Sequence, residues 1–117
     1  MFKILAFLSK RADLSREQFV DYYENTHIPF VLGLAPGPCL YKRRYLTRGT
    51  EMEVGNGSID FDVVTEVGFP DREAFHAWHA EVFKPGNAER IVEDEGRFLD
   101  RGRSRSYVID EERVTAG

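Results

Sequence analysis

"DFDVVTEVGFPDREAFHAWHAEVF", residues 60–83, changes its period partway along, and that change sets the fold class. Up to Phe69 the pattern is two-residue alternation: Phe61, Val63, Thr65, Val67 and Phe69 on one side of an extended chain, Asp62, Val64, Glu66 and Gly68 on the other. Beyond Pro70 and Asp71, a proline-and-acid start that suits a helix N-terminus, Phe75, Trp78, Val82 and Phe83 recur at the spacing of a core-facing helical stripe. A strand therefore feeds a helix.

Upstream, "LYKRRYL" (40–46) alternates Tyr41, Arg43 and Tyr45 against Leu40, Lys42, Arg44 and Leu46, the pattern of another strand. It is joined to the first stretch by the glycine-rich "TRGTEMEVGNGS" (47–58), which reads as a loose hairpin connection. Before it, "FKILAFLSK" (2–10) is a short apolar run that reads as a strand covered on both faces. Ser15 with Gln18 forms a capping-box pattern that starts a helix at Ser15, and Pro29 predicts its end near Thr26 or His27. "LGLAPGPC" (32–39) is turn-rich. Downstream, "KPGN" (84–87) breaks the second helix, "AERIVEDEGRFLD" (88–100) predicts a further short one, and "RSRSYVIDEERV" (103–114) a closing strand with a fraying charged tail.

The order is βαββαβ with an extra short helix before the last strand, the ferredoxin-like α+β fold in which the helices cover one sheet face. Residues 1–117 are about one domain, and 42% hydrophobic with 13% aromatic residues suffices for one core. The apolar residues of the third strand are too many to leave in water. A second copy is expected to cover the open sheet face, giving a homodimer with two-fold symmetry whose open sheet faces pack together as a barrel-like core.

A net charge of -4 disfavours nucleic-acid binding. Two local basic clusters, "YKRRY" (41–45) and "DRGRSRSY" (100–107), read as exposed strand faces. No apolar run spans a bilayer and no leader pattern precedes the first strand, so no membrane partner and a cytoplasmic location are expected. Cys39 is alone and reads as a buried thiol; His76 and His79 form an H-x-x-H pair lacking further ligands, so no metal site is expected. Neither a phosphate-binding glycine loop nor a nucleophile elbow occurs, and no cofactor is expected.

Three polar residues fall on apolar stripes. At about 100° per residue, Phe19, Tyr22, Tyr23, Thr26 and His27 lie near 0, 300, 40, 340 and 80°, which puts His27 on the inward flank. His79 is central on its helix and His76 peripheral, and Glu95 lies amid Ala88, Ile91, Val92 and Leu99. An imidazole titrates near neutrality and a desolvated carboxyl has its pKa raised, so a pocket holding His27, Glu95 and a tyrosine hydroxyl moves protons at neutral pH. The expected catalytic set is His27 as general base or acid with Tyr41 or Glu95 as proton partner. Phe7, Phe19, Tyr23, Phe61, Trp78, His79 and Phe98 are the expected substrate-binding walls.

"MFKILAFLSKRADLSREQFVDYYENTHIPFV" (1–31), "EVGFPDREAFHAWHA" (66–80) and "DEGRFLDRGRSRSYVIDEE" (94–112) together resemble EthD-domain proteins: a strand, a basic residue, a Ser-x-x-x-Phe helix start, a terminal x-x-His-x-Pro, and a Phe-x-Asp closing segment. The resemblance implies the dimeric α+β barrel superfamily and places the family's helix-end histidine on His27 and its Phe-x-Asp on Phe98 and Asp100. Members of that superfamily include cofactor-free isomerases, cyclases, dehydratases and monooxygenases. The resulting expectation is a small cofactor-independent enzyme acting on an apolar or aromatic carbonyl-bearing metabolite. The alternatives are a hydrophobic-ligand-binding or oxidase-accessory protein, and a cofactor-free monooxygenase.

Overall fold

The computed structural model describes residues 1–57 and 60–117. Four strands, β1 (Phe2–Leu8), β2 (Leu40–Tyr45), β3 (Val63–Phe69) and β4 (Arg105–Val108), form one antiparallel sheet in the order β2-β3-β1-β4. With the helices between them, this is the α+β ferredoxin-like arrangement. The connection 46–62 holds no strand among its described residues, and Ser58 of the expected hairpin lies outside them.

The register assigns the faces. Tyr41 pairs with Val67, Arg43 with Thr65, Ile4 with Val67 and Ala6 with Thr65, so these residues share the side that the helices cover. Lys3, Leu5, Phe7, Leu40, Lys42, Arg44, Val64, Glu66, Arg105 and Tyr107 share the other. The apolar alternation Val63, Thr65, Val67 and Phe69 is therefore buried under this chain's own helices, not on the open face for which a second copy was invoked. The open face is mixed. Its centre is Glu66, buried beneath Lys3 and Arg44 at 3.2 and 3.0 Å. Burial raises that carboxyl's pKa, but the hydrogen bonds from Arg44 and Lys3 outweigh burial and hold it below the usual value.

Helix α1 (Arg16–Tyr22) starts as expected: Ser15 Oγ accepts from the Gln18 amide, and Gln18 Oε1 accepts from the Ser15 amide. The expected stop before Pro29 is absent. A π-helical turn (Tyr23–His27), in which the Ile28 amide reaches back to the Tyr23 carbonyl, leads directly into α2 (Ile28–Leu32). The wider turn lets the chain pass a residue that lacks an amide hydrogen and whose ring would crowd an α-helical carbonyl. It also re-aims side chains, because a π turn advances less per residue than an α turn. Phe19, Tyr23 and His27 form the buried line, while Thr26, expected on the stripe, is exposed.

Helix α3 (Arg72–Val82) begins at Asp71, whose Oδ1 accepts from the Ala74 amide at 2.8 Å. Gly86, at φ 93°, turns the chain into α4 (Asn87–Glu95), a conformation that suits glycine. One core cluster joins Phe19, Tyr23, Ile28, Val63, Phe98 and Leu99; the other joins Val31, Val82 and Ile91. Cys39, expected buried, is exposed because it precedes edge strand β2.

Candidate active site

Between the two core clusters, under α1 to α4 and above the sheet, lies a cavity of about 350 Å³. Ile4, Ala6 and Leu8 of β1 and Thr65 and Val67 of β3 form its floor, and Val31, Trp78, Val82, Ile91 and Phe98 contribute apolar walls. The polar groups facing this apolar space are few, as in a small-molecule site. They include His27, Glu95, Tyr41, Tyr23 and His79.

His27 is buried, with Nδ1 2.6 Å from Asp94 Oδ2. The carboxylate's other oxygen, Oδ1, accepts from the Tyr22 hydroxyl at 2.6 Å. An ionised carboxylate only accepts, so this pairing places a ring proton on Nδ1, and in the neutral ring the lone pair is then on Nε2. No hydrogen bond ties Nε2 to any described residue, and it is the nitrogen left to the cavity. Phe98 backs the imidazole at 4.8 Å between ring centroids and Tyr23 flanks it at 5.6 Å. A carboxylate that fixes tautomer and ring angle, with the second nitrogen free, is the arrangement of an oriented general base.

Asp94 is the residue that the sequence reading missed. Glu95, not Asp94, lies on the sheet-facing stripe of α4, and Asp94 points sideways. It is nevertheless buried, because α4 packs against the helix carrying Tyr22 and His27.

Glu95 does reach the cavity. Burial raises its pKa, against the opposing charge of Arg101, whose Nε lies 3.2 Å from its Oε1. Tyr41 also lines the cavity, and its phenol is pushed far up, first by burial and then by Tyr23. It therefore keeps its proton. Tyr23, hydrogen-bonded to Thr65 at 2.6 Å, is likewise raised by burial.

Of the expected walls, Tyr23, Trp78, His79 and Phe98 line the cavity. Phe19, Phe7 and Phe61 do not. Phe19 is wholly buried in the core beside Phe98, at 5.9 Å. Phe7 lies on the open sheet face by register, and Phe61, which precedes β3 and so escapes its alternation, stacks on it at 5.3 Å. Trp78 Nε1 is the one buried side-chain nitrogen or oxygen without a partner among the described residues. His76 is exposed, and among the described residues no three His, Cys, Asp or Glu side chains gather as a metal-binding set. The backbone of Asp100 ties the turn together, its amide donating to the Ser9 carbonyl and its carbonyl accepting from the Ser104 hydroxyl.

The EthD domain family's model matches residues 11–102. Among solved structures, an EthD-family protein from Bacillus halodurans superposes with a TM-score of 0.62 at 20% identity over 96% of this chain and 100% of that one. An Arabidopsis thaliana protein gives 0.64 at 16% identity over 99% of this chain and 100% of that one. A dimeric ferredoxin-like protein from Thermobifida fusca gives 0.51 at 11% identity, over 92% and 88%. At these identities the likeness concerns the fold. No curated protein matches the sequence.

Proposed function

We propose, for a chain that belongs to the EthD-domain family, a cofactor-independent enzyme that moves a proton on an apolar or aromatic carbonyl-bearing metabolite. The observation that carries the reading is the His27–Asp94 pair, 2.6 Å apart and buried at the wall of an apolar cavity. His27 Nε2 takes a proton from the carbon next to the ligand's carbonyl, and Asp94 stabilises the resulting imidazolium. The enolate oxygen takes a hydrogen bond from Tyr41 or a proton from Glu95, whose neutral form burial favours. Returning the proton to another carbon makes the reaction an isomerisation; attack of the enolate on a second carbonyl of the same molecule makes it a cyclisation, and loss of a β-hydroxyl a dehydration.

The test is proton exchange. With benzoylacetone as probe in deuterated buffer, the wild type is expected to exchange the methylene protons faster than buffer does, followed by proton NMR. His27→Asn should lose about 10²–10⁴ of that rate while still binding the probe. Exchange unchanged in His27→Asn refutes the proposal; binding without any exchange by the wild type leaves a ligand carrier.

The same reading takes the chain as a homodimer paired through the open sheet faces. Support comes from the apolar strip of Leu5, Phe7, Val64 and Tyr107, whose Tyr107 is 56% exposed, and from the dimeric ferredoxin-like neighbour.

A further inference from the structure

We propose that the cavity's natural ligand carries a carboxylate, which docks on Arg101 at the rim while the apolar body lies against Trp78 and His27. This inference rests on the proposed function and narrows its substrate class.

A second hollow of about 180 Å³ adjoins the cavity and shares Leu8, Glu95, Leu99 and Ser106 with it as a common wall. Its remaining lining is Arg101, Ser104 and Arg105, so cationic and hydroxyl-bearing residues stand on the far side of the residues that the two hollows share. These come from the basic cluster 100–107, which strand-edge protection alone does not explain, because Arg101 and Arg103 precede β4 in a turn of 3-10 helix.

Arg101 is underused where it stands. Its side chain is 53% exposed, and its ion pair is a single approach of Nε to Glu95 Oε1 at 3.2 Å. Among the described residues neither terminal guanidinium nitrogen has a partner, and a planar carboxylate engages the pair two-pronged. Glu95 is the one carboxylate lining this hollow and a weak competitor, since burial favours its protonated form. An incoming carboxylate that displaces it leaves Glu95 free to take up a proton, the form in which it can donate to a carbonyl oxygen.

Trp78 is the chain's single tryptophan and lies on the cavity wall, so its fluorescence reports occupancy directly. Titration with 4-phenylbutanoate and with the uncharged 4-phenylbutan-1-ol compares two probes of one shape. The acid is expected to bind about tenfold tighter at low salt, in line with one charge-assisted contact to a half-exposed guanidinium, with the difference shrinking at high salt. Arg101→Gln should bring the acid down to the alcohol's affinity without moving the alcohol, Arg101→Lys should restore part of the preference, and Glu95→Gln should tighten the acid alone. Equal affinity of the two probes, or a preference that survives Arg101→Gln, overturns the inference and leaves the proton-transfer reading intact. If neither probe reaches Trp78, both readings fall; if both bind but benzoylacetone is not exchanged, only the catalytic reading falls.

Discussion

Replacing Asp94 by Asn separates an oriented catalytic base from a merely well-packed histidine. The carboxylate accepts two hydrogen bonds of 2.6 Å, from Tyr22 and from His27 Nδ1, with the His27 and Asp94 side chains only 10% and 7% exposed. A hydrogen bond to a charged group contributes about 1.5–3 kcal/mol, and Asn keeps one acceptor oxygen while presenting an amide donor where the second bond was. The expected loss is about 2–3 kcal/mol, or roughly 8–12 °C in Tm at about 4 °C per kcal/mol for a domain of this size. The chemical consequence is larger. Where the amide nitrogen faces the ring, His27 places its lone pair on Nδ1 and its proton on Nε2, which removes the base from the cavity. Proton exchange should then fall about 10³-fold or more, as when a triad carboxylate is neutralised. Nitrogen-15 NMR of the imidazole reads the tautomer, urea unfolding the stability, and deuterium incorporation the rate. Retention of the proton on Nδ1 together with wild-type stability would refute the reasoning, since neither is compatible with Asp94 orienting the ring.

Phe98→Ala removes the wholly buried ring shared by Phe19, Tyr22, Tyr23 and His27, and should cost about 3–5 kcal/mol by urea unfolding. Glu95, whose pKa is raised by burial in the folded state, is ionised more readily in the unfolded chain. Its contribution to stability is present below the unfolded pKa and lost as pH rises through the folded one, so the urea midpoint of the wild type should fall across that window relative to Glu95→Gln. Tyr107→Glu on the open sheet face should shift the sedimentation profile from dimer to monomer without changing the circular dichroism spectrum.

Much of the architecture is legible in local pattern. The alternations of 40–46 and 63–69 and the stripe of α3 require only that each element have one covered side, and the sheet supplies it. Which side meets the helices is set by pairing between distant segments, which is why Phe7 stands on the open face, whereas Phe61 packs on it because it precedes β3 and escapes the alternation. His27 stood out because a polar ring on an apolar stripe is conspicuous. Its partner did not, because Asp94 lies on a flank that is exposed unless another helix covers it, and no single-helix period contains that neighbour. Pro29 misled in the same way: its usual effect on a helix is local, whereas the π turn that absorbs it belongs to a longer packed segment.

That π turn ties the histidine's aim to a count of residues. Delete one residue between Glu24 and Thr26 and the wide turn closes, so that the Pro29 ring crowds a helical carbonyl and the imidazole swings off the line of Phe19 and Tyr23. Three bases of coding sequence would thus suffice to disarm the fold or, in reverse, to arm it.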